Sequence, residues 1–166
     1  MFEINEFVIH TTGGICQVTD IAPLDMPGAD KDRKYYFLVP IKARGSRVFV
    51  PIDNTNAIRR VMTDEEAWEL IDEIPGIEEL QVDNDKIREA KYKEAIKSCD
   101  CRELIKIIKN LYSRRLKRLE EGKKSTATDD KYFKIAEDNL FSEIAFAIGK
   151  NKDEIPDVIA SRIGSM

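Results

Sequence analysis

Arg47-Val48-Phe49-Val50-Pro51 and, a little further on, Thr63-Asp64-Glu65-Glu66 are the two pieces of sequence whose contrast decides the fold. The first is a β-branched and aromatic run stopped by proline, and it reads as a strand. The second is a helix start. Thr63 can cap the first turn while Glu66, three residues on, reaches back to the Thr63 amide. Upstream of this pair the chain reads as strands, and downstream it reads as helices.

On the N-terminal side, Tyr35-Tyr36-Phe37-Leu38-Val39 is the strongest strand, and Lys42 to Ser46, with Gly45, supplies the turn that leads to Arg47. Pro23 to Asp32 reads as a loop. Ile15-Cys16-Gln17-Val18-Thr19-Asp20-Ile21 alternates loosely, with Ile15, Val18 and Ile21 off a strict period of two, which predicts a bulge. Phe7-Val8-Ile9 precedes Thr11-Thr12-Gly13-Gly14, whose paired glycines permit the positive φ of a hairpin connection. Short strands at this spacing predict a small antiparallel sheet curled into a half-barrel.

On the C-terminal side, the capped helix carries Ala67, Leu70, Ile71 and Ile74 on one face and stops before Pro75-Gly76. A second helix is expected over about 85–98, with Ile87, Tyr92, Ala95 and Ile96. Asp100-Cys101-Arg102-Glu103 opens a third, with Leu104, Ile108, Leu111, Tyr112, Leu116 and Leu119 at helical period. Gly122 to Thr128 reads as a polar connector, a fourth helix as starting near Asp129 and ending at Gly149, and a short fifth as grouping Ile155, Val158, Ile159 and Ile163. The fold class is therefore α+β in two modules. A small antiparallel β half-barrel occupies residues 1–60, an acidic helix and linker 61–84, and an all-helical domain 85–166.

The net charge of −4 over 166 residues conceals an uneven distribution. Residues 1–60 carry 8 basic and 7 acidic side chains, residues 61–85 carry 10 acidic and no basic ones, and residues 86–150 carry 17 basic and 11 acidic. A basic segment behind an acidic one is a local footprint for an anionic partner even when the whole chain is acidic. The composition is that of a folded protein, and no apolar run is long enough to cross a bilayer. The start shows no secretory signal, and the 3 cysteines form no disulfide framework, so the expected compartment is the cytoplasm.

Catalytic chemistry finds little support. His10 is the sole histidine, at a strand end, and is read as structural. Cys99-Asp100-Cys101 lacks zinc-ligand spacing, Cys16 is read as a small buried hydrophobe, and the acidic stretch 64–85 as a solvated helix face rather than a metal cluster. Gly122-Lys123-Lys124-Ser125-Thr126 fails as a phosphate loop. Lys117 stands where the motif needs a glycine, Lys124 where it needs Ser or Thr, and the segment joins two helices. No enzyme activity, metal, cofactor, small-molecule substrate or membrane partner is expected. The basic residues carry the remaining signal: Lys86, Arg88, Lys91, Lys93 and Lys97 on the second helix; Arg114, Arg115, Lys117 and Arg118 ending the third; and Lys123, Lys124, Lys131 and Lys134 around the connector. Such groups neutralise phosphates and give salt-dependent affinity for DNA; they are equally the ordinary furnishing of exposed helix faces.

Asn5-Glu6-Phe7-Val8-Ile9-His10 through Gly14-Ile15, then Tyr35-Tyr36-Phe37-Leu38, then Val48-Phe49-Val50-Pro51, resembles the N-terminal module of the CarD/CdnL family of bacterial transcription regulators. Tyr92-Lys93-Glu94-Ala95-Ile96, Leu104-Ile105-Lys106-Ile107-Ile108-Lys109-Asn110-Leu111 and Ala136-Glu137-Asp138-Asn139-Leu140-Phe141-Ser142-Glu143-Ile144-Ala145 resemble its helical module. The resemblance spans nearly the whole chain in the right order. It implies a Tudor-like domain that binds the β subunit of RNA polymerase and a helical domain that contacts promoter DNA, acting on the open promoter complex. A repair-coupling helicase shares the N-terminal module, but this chain lacks its phosphate loop.

Carried over by position, the resemblance places polymerase binding on Leu24, Arg47, Val48, Phe49 and Val50, where an exposed strand edge can pair with a polymerase strand. Family members often have arginine at the positions of Leu24 and Phe49, so burial weighs more here, with Arg47 as a displaced charge. DNA contact, largely to the phosphate backbone, is placed on Arg88, Lys91, Lys93, Arg114, Lys123, Lys124 and Lys131. Arg88 stands where the family has a tryptophan that wedges into the minor groove. It offers charge to a narrow groove in place of an inserted ring, and Trp68 is read as a packing residue. The alternatives are a protein-interaction adaptor that does not bind DNA and, far behind, a metal-dependent hydrolase.

Overall fold

The computed structural model describes residues 1–11, 14–54 and 56–164. The chain divides into two compact units, Met1–Val61 and Met62–Met166.

The first unit is a five-stranded antiparallel half-barrel. Its strands are β1 (Phe7–His10), β2 (Gly14–Pro23), β3 (Lys34–Pro40), β4 (Val48–Pro51) and β5 (Ile58–Arg60), in the order β4-β3-β2-β1-β5. Alternation sets the inner face. Tyr36 and Leu38 of β3 are buried, and they meet Val8, Cys16, Val18, Val50 and Ile58 in one cluster. The expected bulge is present. The pairing of β2 with β3 shifts between Val18↔Leu38 and Asp20↔Phe37, and Thr19 turns its hydroxyl to the Phe37 carbonyl at 3.2 Å. Phe2 closes one end of the core, its amide donating to the Tyr36 hydroxyl at 3.1 Å. The paired-glycine turn falls partly on Thr12 and Gly13, outside the described residues; Gly14 itself has φ 63 and opens β2. β5 is not anticipated by pattern. Three residues, two of them arginine, carry no period, and the strand forms because β1 still offers an edge and Ile58 can be buried there.

The second unit is helical, with α1 (Asp64–Glu73), α2 (Asp85–Lys97), α3 (Cys101–Glu120), α4 (Ala127–Ile148) and α5 (Ile155–Ile163). The Thr63 hydroxyl accepts from the Glu66 amide at 3.1 Å, and the Glu66 carboxylate accepts from the Thr63 amide at 3.0 Å, which completes the capping box. Asn84 caps α2 and Asp100 caps α3. α4 begins earlier than the expected Asp129, because Thr126 captures the Asp129 amide at 3.1 Å and converts the end of the connector into helix. Gly149, at φ 70, ends α4 in the left-handed conformation that glycine adopts without strain.

One core joins all five helices, including Leu70 and Ile71 of α1, Tyr92 of α2, Ile105 and Ile107 of α3, Ile144 of α4 and Ile155 of α5. The acidic stretch 61–84 contributes to it. Leu70, Ile71 and Ile74 are buried, and Ile77 and Leu80 pack against them, while most of its carboxylates face solvent. Glu143 is buried within the unit. One of its oxygens accepts the Met62 amide at 2.9 Å, and the other accepts the Cys101 thiol at 3.2 Å. Among the described residues, no helix is long and apolar enough to cross a membrane.

Because the capping box satisfies two amides that the first helical turn leaves open, Thr63→Ala is expected to cost about 1 kcal/mol. Urea unfolding followed by circular dichroism measures it; a midpoint equal to wild type would show that water serves those amides as well.

Candidate functional site

Two surfaces hold the residues singled out by sequence, one in each unit. In the half-barrel, β4 is an outer strand that pairs, among the described residues, with β3 alone, which leaves main-chain groups along its other edge. Along β4, Val50 is buried and Val48 half-buried, both packed with the half-barrel core, while Phe49 is 39% exposed. The Phe49 ring stands edge-on to Phe37, its cross-strand neighbour, with centroids 5.0 Å apart. Arg47 is exposed immediately before the strand. Leu24 is half-buried just past the end of β2, with β3 standing between β2 and β4. Arg47 therefore stands at the head of the strand and Val50 supports it from inside, while Leu24 lies apart from it across β3. Sequence reasoning missed the outward neighbours Phe37 and Tyr35, the latter under the Arg33 guanidinium at 5.8 Å. Their signal was the alternation within 35–39.

In the helical unit the predicted cations separate into two kinds. Arg88 and Arg114 are structural. The Arg88 side chain is 15% exposed; it donates to Asp85 at 3.0 and 3.1 Å, to the Tyr92 hydroxyl at 3.1 Å and to Asn110 Oδ1 at 3.0 Å. Burial alone would lower its pKa, but the hydrogen bonds with Tyr92 and Asp85 leave it above the ordinary arginine value. The Tyr92 hydroxyl, itself raised in pKa by burial, also donates to Asn110 Oδ1 at 2.5 Å, and Asn110 Nδ2 donates to the Leu80 carbonyl at 3.1 Å. Arg114 reaches across to Asp129 of α4 at 2.9 Å, with Asp85 at 3.9 Å. These contacts bind α2, α3 and α4 into one frame.

Around that frame stand the second kind. Lys93 lies 3.6 Å from Glu89, and Lys131 lies 5.4 Å from the Tyr132 ring, whose hydroxyl donates to Glu89 at 2.8 Å. That hydrogen bond, helped by Lys93 and Lys131, holds the Glu89 carboxyl below its usual pKa. Lys93 and Lys131 are thus brought to one place. Lys123 is 3.8 Å from Glu121, and the exposed Lys124 sits beside it, fixed in backbone by the Arg118 guanidinium on its carbonyl at 2.8 Å. Lys91 lies apart, tethered to the Gln81 carbonyl at 2.9 Å.

The description "CarD-like/TRCF RID domain" matches residues 2–62, and "CarD, C-terminal domain" matches residues 69–160. The chain belongs to the CarD family. Comparison with curated proteins finds no match. CarD-like domains make this a transcription-associated regulator that interacts with RNA polymerase, and the family is one of non-enzymatic transcription factors. In this CarD-family chain His10 and Cys16 have internal settings. His10 is nearly buried, and its pKa is lowered by burial; the buried Cys16 thiol is pushed up to about 11 for the same reason. Trp68 packs against the helical core with the Arg162 guanidinium 5.4 Å over its ring.

Replacing Asn110 with leucine removes the acceptor shared by Arg88 and Tyr92 and leaves a buried hydroxyl short of a partner. Asn110→Leu is expected to destabilise the protein by about 2–3 kcal/mol, read from chemical unfolding. A loss under about 0.5 kcal/mol would mean that the helices hold their frame through apolar packing alone.

Proposed function

We propose that this protein docks on the β subunit of RNA polymerase through the outer edge of β4 and rests the lysine-bearing surface of its helical unit on promoter DNA, modulating the stability of the open complex without catalysing a reaction. The observation that carries the reading is the β4 edge: a short strand with one free side, an exposed aromatic at its centre and an exposed arginine at its head. Such an edge accepts a partner strand through main-chain hydrogen bonds, while Phe49 and Arg47 supply selectivity and Leu24, across β3, offers an apolar contact to a partner that reaches past the strand. Val48 and Val50 hold the strand in place from the core side.

On the DNA side, Lys93, Lys131, Lys123 and Lys124 are the cations in position to meet phosphates. Arg88 and Arg114 shape the surface from beneath, and Lys91 fixes its flank. Because Arg88 is committed to Asp85, Tyr92 and Asn110, its contribution is rigidity rather than insertion into a base step. DNA contact of this kind is electrostatic and tolerant of sequence. A protein-only adaptor remains the second reading, favoured by the carboxylates that occupy cations of this unit: Asp85 on Arg88, Glu89 on Lys93 and Asp130 on Arg115.

Binding of the full chain to the polymerase β-subunit fragment, measured by calorimetry, is expected to weaken about tenfold or more with either Arg47→Glu or Phe49→Ala, as for an exposed anchor at an interface. Unchanged affinity in both variants would remove the β4 edge from the reading. For DNA, the slope of log affinity against log salt is expected to fall by about 0.9 with Lys124→Ala, one phosphate contact's worth. Absence of a salt-dependent complex with promoter duplex would leave the adaptor reading in its place.

A further inference from the structure

The last two turns of α3 expose Tyr112, Leu116 and Leu119 to 52%, 45% and 57%. Spaced four and three residues apart, they form one line along the helix. The same line in the first half of α3, through Cys101 and Ile105, is 7% and 1% exposed. α3 is thus built with one apolar face along its length and covers only the first half. Cations border the open half. Arg115 lies beside the line with its guanidinium 4.4 Å over Phe133 of α4, Lys117 is exposed, and Arg118, Lys123 and Lys124 cluster where the helix ends.

The chain's own acidic segment shows what α3 takes. Residues 73–81 run along the first half of the helix. Glu73 pairs with Arg102 at 2.7 Å, the Leu80 amide donates to the Lys106 carbonyl at 3.1 Å, Lys109 donates to the carbonyls of Ile74 and Ile77, and Ser113 donates to Glu79 at 2.7 Å. Between these contacts Ile74, Ile77 and Leu80 pack into the core. An acidic segment with apolar residues at intervals is therefore held by burying the apolar side chains and meeting its carboxylates and carbonyls with donors. Past Ser113 the helix continues with Leu116 and Leu119 exposed.

We propose that the C-terminal half of α3 is a docking face for an acidic amphipathic helix of another protein, seated on Tyr112, Leu116 and Leu119 and ringed by Arg115, Lys117 and Arg118. A second copy of α3 is a poor occupant. Pairing the line with itself would oppose like charges. A helix with leucines on one face and glutamates beside them matches both the line and its border.

The test uses the full chain and a fluorescein-labelled synthetic helix of about 18 residues, with leucines at helical spacing and glutamates elsewhere. A second peptide of identical composition has its leucines scattered around the helix. The patterned peptide is expected to bind at least about tenfold more tightly than the scattered one, and Leu116→Asp to weaken it by a similar factor with the thermal midpoint unchanged, since Leu116 is exposed. Equal binding of the two peptides, indifference to Leu116→Asp, or no binding of the patterned peptide would each overturn the proposal. So would loss of promoter-duplex binding in Leu116→Asp without any peptide binding, which would assign the face to nucleic acid.

Discussion

The helical unit depends on a buried polar knot: Asn110 receiving Tyr92 and Arg88 at one oxygen while its amide holds the Leu80 carbonyl. Apolar packing alone lets helices slide, because one aliphatic contact substitutes for another. A hydrogen-bonded cluster with no water to replace a lost partner admits a single register. Here it fixes α2 against α3 and pins the segment between α1 and α2, and the Arg114–Asp129 pair extends the same constraint to α4. The knot is also well satisfied, so the cost of placing a guanidinium and a phenol inside the unit is met by their partners.

That internal commitment changes what charge counting means in this chain. Residues 86–150 carry 17 basic side chains against 11 acidic ones, yet Arg88 and Arg114 act inward, and Arg102 and Lys109 are occupied by the last residue of α1 and the segment that follows it. What an outside anion meets is a smaller set, which includes the lysines around Glu89 and those at the turn between α3 and α4. The acidic stretch, whose carboxylates read as a solvated face, plays two parts: its apolar residues complete the helical core, and some of its carboxylates neutralise cations of α3.

Much of the architecture was legible because it rests on local rules. The capping box at Thr63, the left-handed Gly149 and the bulge between Val18 and Asp20 are each written in a few neighbouring residues. β5 was not legible, since Ile58-Arg59-Arg60 becomes a strand by virtue of an open edge on β1, a fact of tertiary structure. The candidate sites divide the same way. Exposure of Phe49 and burial of Val50 follow from alternation in β4. The inward course of Arg88 does not follow from helical period, because its partners Asn110 and Tyr92 include one from another helix, and periodicity along α2 is silent about what lies across from it.

An outer strand able to take a neighbour can in principle take any neighbour, including another molecule of itself. β4 carries limits against that. It is four residues long, Pro51 ends it with a residue that has no amide hydrogen to donate, and Arg47 places a charge at its entrance. Runaway edge-to-edge stacking needs long, uncharged strands whose every amide can contribute. A strand this short and so flanked resists aggregation while leaving room for one well-matched visitor.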